Sequence, residues 1–425
     1  MKKNMWIAFV VIATAVIGSC QNPNKRPHEV HESQLQKITP LSSSNKNAFC
    51  VFMCNDEKGM PAISWIERDS MDYKSFYLSR FDKKENEFTT PISIPISQNT
   101  AIHEEGMPKV AFKGDGSIFV IYETKEEVEN SKWGLTDVKY IQSFDNGETW
   151  TSANSIAKED YKRGKSSSFA NLSRLADGEI GVCWLGSAKT EGRPVKFVRT
   201  QGEDFGEILT IDEEACQCCR TSIHSSDKGS ISIAYRDLLE GSVRDISIAQ
   251  SFDNGLTFQE SIPFSNDNWV VEGCPHAGPS IQTVDESTFV SWFTDAEDNQ
   301  GVFLAQLDKK GKMIFKKQIS KRGHFNHLDV LADETAIIAY NESYQEDNSM
   351  YSKIIIAKYK DNQLTQKEIT PPLALANFPI IKALNKTEVL VAWVDDYQAY
   401  YTIQNINAIE EKVLSNASLA THLIR

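Results

Sequence analysis

The sequence predicts an all-β chain folded as a β-propeller of six or seven four-stranded blades. Seven segments share one pattern of alternating apolar residues ending in an aromatic: "AISWIERD", "IFVIYETK", "IGVCWLGS", "ISIAYRDL", "TFVSWFTD", "AIIAYNES" and "VLVAWVDD". Their aromatics (Trp65, Tyr122, Trp184, Tyr235, Trp292, Tyr340, Trp393) recur at intervals of 48 to 62 residues. Most are preceded, about ten residues earlier, by a second apolar stretch and an acidic or Gly turn, as in "PKVAFKGDG" and "ANLSRLADG". Period-two alternation broken by Gly and Asp turns is the strand-and-hairpin signal, and roughly fifty residues per unit is the length of a propeller blade. We count seven units.

The chain begins with "MKKNMWIAFVVIATAVIGSC". Its basic start, short apolar run and small residues fit a signal peptide over 1–19, too short to span a bilayer comfortably. "IGSC" resembles a bacterial lipobox, which implies that Cys20 is lipidated. Residues 20–45 are expected to be a lipidated cysteine and flexible tether, and 46–425 a single propeller domain. The expected address is the bacterial cell envelope, with membrane contact only through the lipid. The net charge of −13 becomes −15 without Lys2 and Lys3, and no Lys/Arg patch is interleaved with aromatics. That excludes nucleic acid as an expected partner.

Two units carry a sharper turn. "SFDNGETW" (143–150) and "SFDNGLTF" (251–258) both read Ser-x-Asp-x-Gly-x-Thr-aromatic. The Asp accepts backbone N–H bonds across the turn, Gly takes a positive φ, and the aromatic packs beneath. The residues are Ser143, Asp145, Gly147 and Trp150, and Ser251, Asp253, Gly255 and Phe258. This pattern resembles the Asp-box of the sialidase-like, or BNR-repeat, propellers, and "SRFDKKENEF" resembles a decayed copy. The resemblance covers roughly residues 48 to 415. It implies a glycan or glycoconjugate ligand and exo-glycosidase activity of sialidase type, with the Asp-boxes on the face away from the site. Two features depart from that family: seven units where six blades are typical, and no arginine in "NAFCVFMCNDEKG", where the family carries an Arg-Ile-Pro element.

In a propeller, residues just before each first strand share a face with residues just after each second-strand aromatic. The first set contains "HEEGMP", "CQCCRT", "EGCPHAGP" and "GHFNHLD", and holds four of the eight histidines and four of the eight cysteines. Candidate catalytic groups on this face are Arg220, Arg236, Asp237, Glu123 and Glu342: guanidinium groups to clamp an anion and carboxylates for acid–base work. Candidate binding groups are Arg68, Glu104, Asp295, Asn326 and Asp395. For Cys216, Cys218, Cys219 and Cys274, two readings stay open. One is a disulfide from Cys218 or Cys219 to Cys274, stapling two blades. The other is a Zn or Cu site in which His276, His324 or His327 joins the thiolates. With Cys20 lipidated, seven cysteines remain, so one at least stays unpaired within the chain.

Overall fold

Each aromatic-ended segment becomes the second strand of an antiparallel sheet, and the chain closes into seven such sheets. The structure, a computed structural model, describes residues 37–129, 134–188 and 191–409. The signal peptide and Cys20 lie outside the described residues. Blade one runs Asn47–Asn55, Pro61–Arg68 and Lys74–Asp82, with Glu87–Phe88 and Ile92–Ile94 both paired to its third strand. The other innermost strands are Lys109–Phe112, Ser168–Arg174, Ser222–Ser225, Ser280–Val284, Gly323–Val330 and Ala376–Ala383.

Blade seven takes its outermost strand from the other end of the chain. Ile38–Pro40 pairs antiparallel with Gln398–Asn405, with Ile38 opposite Thr402. This corrects the expected tether, which reaches to residue 45 in the sequence: its last part is a closure strand that removes the open edge of the ring.

The seven aromatics explain why the blades stack. All are at most 2% exposed, and each lies in a separate buried cluster that joins neighbouring blades. Trp184, for example, packs on Ala111, Phe119 and Ile121 of blade two. Cutting one such ring back to alanine costs about 3–5 kcal/mol through lost burial and the cavity left behind.

The two Asp turns connect third to fourth strands, on the far face. In the first, Asp145 Oδ1 accepts from Thr149 N at 2.9 Å, and Gly147 N donates to Ser143 Oγ at 2.8 Å. In the second, Asp253 Oδ1 accepts from Thr257 N at 2.9 Å, and Gly255 N donates to Ser251 Oγ at 2.9 Å. Trp150 Nε1 bonds Gly147 O, whereas Phe258 packs on Phe197 at 4.9 Å. Gly255 has φ +84°, and a Cβ there would sit 2.9 Å from the Phe197 ring. Gly255→Ala is therefore expected to cost about 2–4 kcal/mol, from left-handed strain plus overpacking. Gly59, with φ +78° and open space around it, isolates the strain alone. Gly59→Ala should cost about 1 kcal/mol, and equal losses in denaturant unfolding of the two variants would contradict the packing argument.

Pairing registers settle the geometry of the mouth. Asn47 faces Arg68, Gly323 faces Glu342 and Ala376 faces Asp395, so first-strand starts and second-strand ends do share one face. No helix among the described residues is long and apolar enough to cross a membrane.

Candidate functional site

Three segments ahead of inner strands build the centre of this face. The first is a 3₁₀ turn, Glu104–Gly106, whose N-cap His103 accepts from Glu105 N through its ring Nδ1 at 3.1 Å. The second is Cys216–Arg220, and the third is Cys274–Gly278. Glu105 ties them together. Its buried carboxylate pairs with the Arg220 guanidinium and accepts from Arg220 N and Gly278 N, each at 2.9 Å. Burial alone would raise this carboxyl, but the Arg220 charge and the two N–H groups outweigh it and hold it below its ordinary value. Gly278 lies so close behind Arg220 that a Cβ would come within 2.3 Å of Arg220 Cγ.

This clamp gathers sulfur. Cys216 Sγ lies 3.9 Å from Cys218 Sγ and 3.6 Å from Cys219 Sγ, and Phe169 packs against this buried cluster. Ala277 N points at Cys219 Sγ at 3.5 Å. At the rim, Cys218, the exposed Cys274 and the half-buried His276 bring two sulfurs and one ring nitrogen within 4.8 Å of one another. His276 faces His103 with ring centroids 5.2 Å apart. Thiol hydrogen bonds from Cys218 and then Cys219 hold Cys216 well below the ordinary thiol range, while donating to Cys216 pushes Cys218 up. All seven described cysteines carry free sulfurs, so no Cys218–Cys274 or Cys219–Cys274 disulfide is present here.

Two of the expected imidazole ligands are elsewhere. His324 packs against Phe293, ring centroids 4.2 Å apart and planes tilted by 33°. His327 accepts from Ile381 N at 3.3 Å, and burial, followed by the Arg220 charge, lowers it to about 3, so it is neutral. Its ring lines an axial cavity of about 710 Å³ that also reaches His224, Arg174 and Lys382.

The expected catalytic set also separates. Arg236 is 1% exposed, and its guanidinium donates to the carbonyls of Ala277, Arg244 and Phe293. It is a structural rivet, not an anion clamp. Asp237 beside it is buried and accepts from Ser247 and Leu238 N. Glu342 accepts from Ser320 Oγ at 2.6 Å, and Asp395 from Leu375 N at 2.8 Å. Asn326 is spent on Ser291, while its carbonyl receives Arg220 at 3.2 Å. Asp295 is exposed, and Arg68 lies over Phe49 at 4.9 Å.

Glu104 and Glu123 remain with unusual environments. Glu104 Oε1 accepts from Cys50 N at 3.0 Å, and its buried Oε2 has no hydrogen-bond partner among the described residues. Glu123 accepts from Phe169 N and faces Lys109. Burial raises both carboxyls to about 7; Cys50 N and Lys109 oppose it for Glu104, Lys109 and the Phe169 and Ala170 N–H groups for Glu123, and Glu105 adds to the rise of Glu104. Glu104 also lines a cavity of about 640 Å³ with Phe49, Arg68, Phe378, Tyr397 and His103.

Both groups hold a proton more tightly folded than unfolded, where Glu titrates near ~4.3. The stability they contribute is complete below that value and is lost as pH rises through about 7. Lys109, lowered to about 8 by burial, acts oppositely only above that pH. The melting temperature is therefore expected to fall between about pH 5 and 7.5, and to fall less in Glu104→Gln. Identical pH profiles for wild type and variant would contradict the assignment.

Seven closed blades with a sulfur-lined mouth define the class: a seven-bladed β-propeller with its polar chemistry gathered on one face. The BNR repeat-like domain matches residues 71–356, and the chain belongs to that family. Similar folds include an ulvan lyase of the polysaccharide lyase family PL25, solved bound to -[GlcA(1-4)Rha3S]- (11% identity, 87% of this chain and 94% of that chain, TM-score 0.55). Another is the intramolecular trans-sialidase from Ruminococcus gnavus (10%, 88% and 98%, TM-score 0.50). A third is a protein of unknown function from Dyadobacter fermentans (12%, 87% and 98%, TM-score 0.50). No curated protein matches the chain. At these identities the likeness is one of fold.

Proposed function

We propose that this protein is a thiolate- and imidazole-based metal-binding propeller of the bacterial cell envelope, anchored through a lipidated Cys20 and holding zinc or copper at its mouth. One observation carries the reading: four cysteines and a histidine from two separate loops converge in overlapping groups whose ligand atoms lie within 4.8 Å. A metal–sulfur bond of about 2.3 Å places two sulfurs on one ion about 3.8–4.0 Å apart, close to the spacing found. Sulfur and imidazole donors select soft or borderline cations over magnesium or calcium. The test is elemental analysis with a free-thiol count on protein purified without chelator. Bound zinc or copper, lost in a Cys219→Ser/Cys274→Ser double variant, supports the site. Metal-free protein with Cys274 in a disulfide overturns it.

A glycan-directed role is favoured by a different observation. The cavity beside the sulfur cluster offers Phe49, Phe378 and Tyr397 as ring-stacking surfaces, with Arg68 and Glu104 as polar groups. Proteins of similar fold act on glycans. Incubation with a fluorogenic sialoside and a panel of other exo-glycosides tests for sialidase-type hydrolysis. No turnover across the panel would leave the pocket, at most, a binding site.

A further inference from the structure

The two ligand groups at the mouth overlap in one residue. Cys216, Cys218 and Cys219 form the buried group, and Cys218, Cys274 and His276 form the rim group. The groups do not merge into one set within the same 4.8 Å limit. A four-coordinate ion drawing on both loops needs its four donors within about 4 Å of each other, which this arrangement does not supply. It supplies two three-donor sets with Cys218 in common. Three-coordination suits Cu(I), whereas structural zinc is almost always four-coordinate.

Resting on the metal reading above, we propose that the mouth holds a dinuclear Cu(I) centre in which the Cys218 thiolate bridges two ions. One ion takes Cys216, Cys218 and Cys219. The other takes Cys218, Cys274 and His276. Four thiolates and two Cu(I) ions leave a net charge of −2, and three guanidinium groups surround it. Arg193 donates to Gln217 O at 3.3 Å, within the cysteine loop. Arg236 is fixed to Ala277 O, next to His276. Arg244 has Nε and Nη1 buried with no hydrogen-bond partner among the described residues, and its charge acts on Cys216. Two buried guanidinium nitrogens without a partner, on a side chain whose charge acts on Cys216, are what an anionic cluster would satisfy. The burial of one set and the exposure of Cys274 also give the centre an inside and an outside, so the rim ion is the one that exchanges with solvent.

The experiment is an anaerobic titration of the full chain with Cu(I) against a chromogenic Cu(I) chelator, followed by copper X-ray absorption. The expected result is two tightly held ions per chain with a Cu–Cu vector on the order of 3 Å, the span of a bridging sulfur. Cys274 is exposed, so Cys274→Ser should fold normally; it should keep one ion and lose the Cu–Cu vector. Cys216→Ser should also drop to one ion, and Cys218→Ser should hold none at the same chelator strength. One ion per chain in wild type, without a Cu–Cu vector, overturns the dinuclear centre and leaves the metal site standing. No Cu(I) held against the chelator overturns the dinuclear centre and the copper form of the metal reading; if elemental analysis of the same protein shows no zinc either, the metal reading falls with it.

Discussion

Glu105→Ala is expected to lower the unfolding free energy by about 3–5 kcal/mol, the cost of removing one partner from a buried, hydrogen-bonded ion pair. Arg220 would keep its charge at 15% side-chain exposure with no carboxylate against it and only the Asn326 carbonyl to receive it, and Arg220 N and Gly278 N would lose their acceptor. Those two N–H groups belong to the cysteine loop and the Cys274–Gly278 loop, so the same change should loosen the sulfur cluster and weaken its metal affinity. Glu105→Gln keeps an acceptor oxygen and should cost less than the alanine variant. Denaturant unfolding of both variants checks the claim. A loss below about 1 kcal/mol in the alanine variant would place this pair with surface ion pairs and remove the clamp from the account.

Arg236→Met is the second large effect, on the order of 3–5 kcal/mol. The methionine keeps the apolar stem but leaves the carbonyls of Ala277, Arg244 and Phe293 without their donor, each a buried acceptor costing about 1–3 kcal/mol. Arg68→Met is the control. Arg68 is 36% exposed and paired with the exposed Asp72, so its loss should cost less than about 1 kcal/mol. Comparable losses for the two variants would contradict the division between rivet and surface arginine.

The two arginines also show where sequence reasoning stops. Arg68 and Arg236 both end their second strands, Arg68 three residues after Trp65 and Arg236 directly after Tyr235, and residue type alone does not say which is saturated and which exposed. The blades themselves were legible because the buried aromatic recurs and the Asp turns repeat. Closure by Ile38–Pro40 was not, since three residues of a polar N-terminal stretch carry no alternation. The sulfur set was legible from the rule that residues ahead of inner strands share a face. The same rule overreached for His324 and His327. Phe325 between them takes φ +49°, a bulge in the inner strand with no glycine to announce it. His103 and Glu105 were visible at the mouth, but only the fold shows that one faces His276 and the other ties three loops together.

The mouth cysteines are expected to converge on a metal ion. Diffraction from crystals of copper- or zinc-loaded protein, recorded on both sides of the metal absorption edge, tests it most directly. An anomalous peak is expected about 2.3 Å from Cys218 Sγ and Cys274 Sγ and about 2.0–2.1 Å from a His276 ring nitrogen. Continuous density joining Cys274 to Cys218 or Cys219 as a disulfide, with no anomalous peak at the mouth, would contradict it.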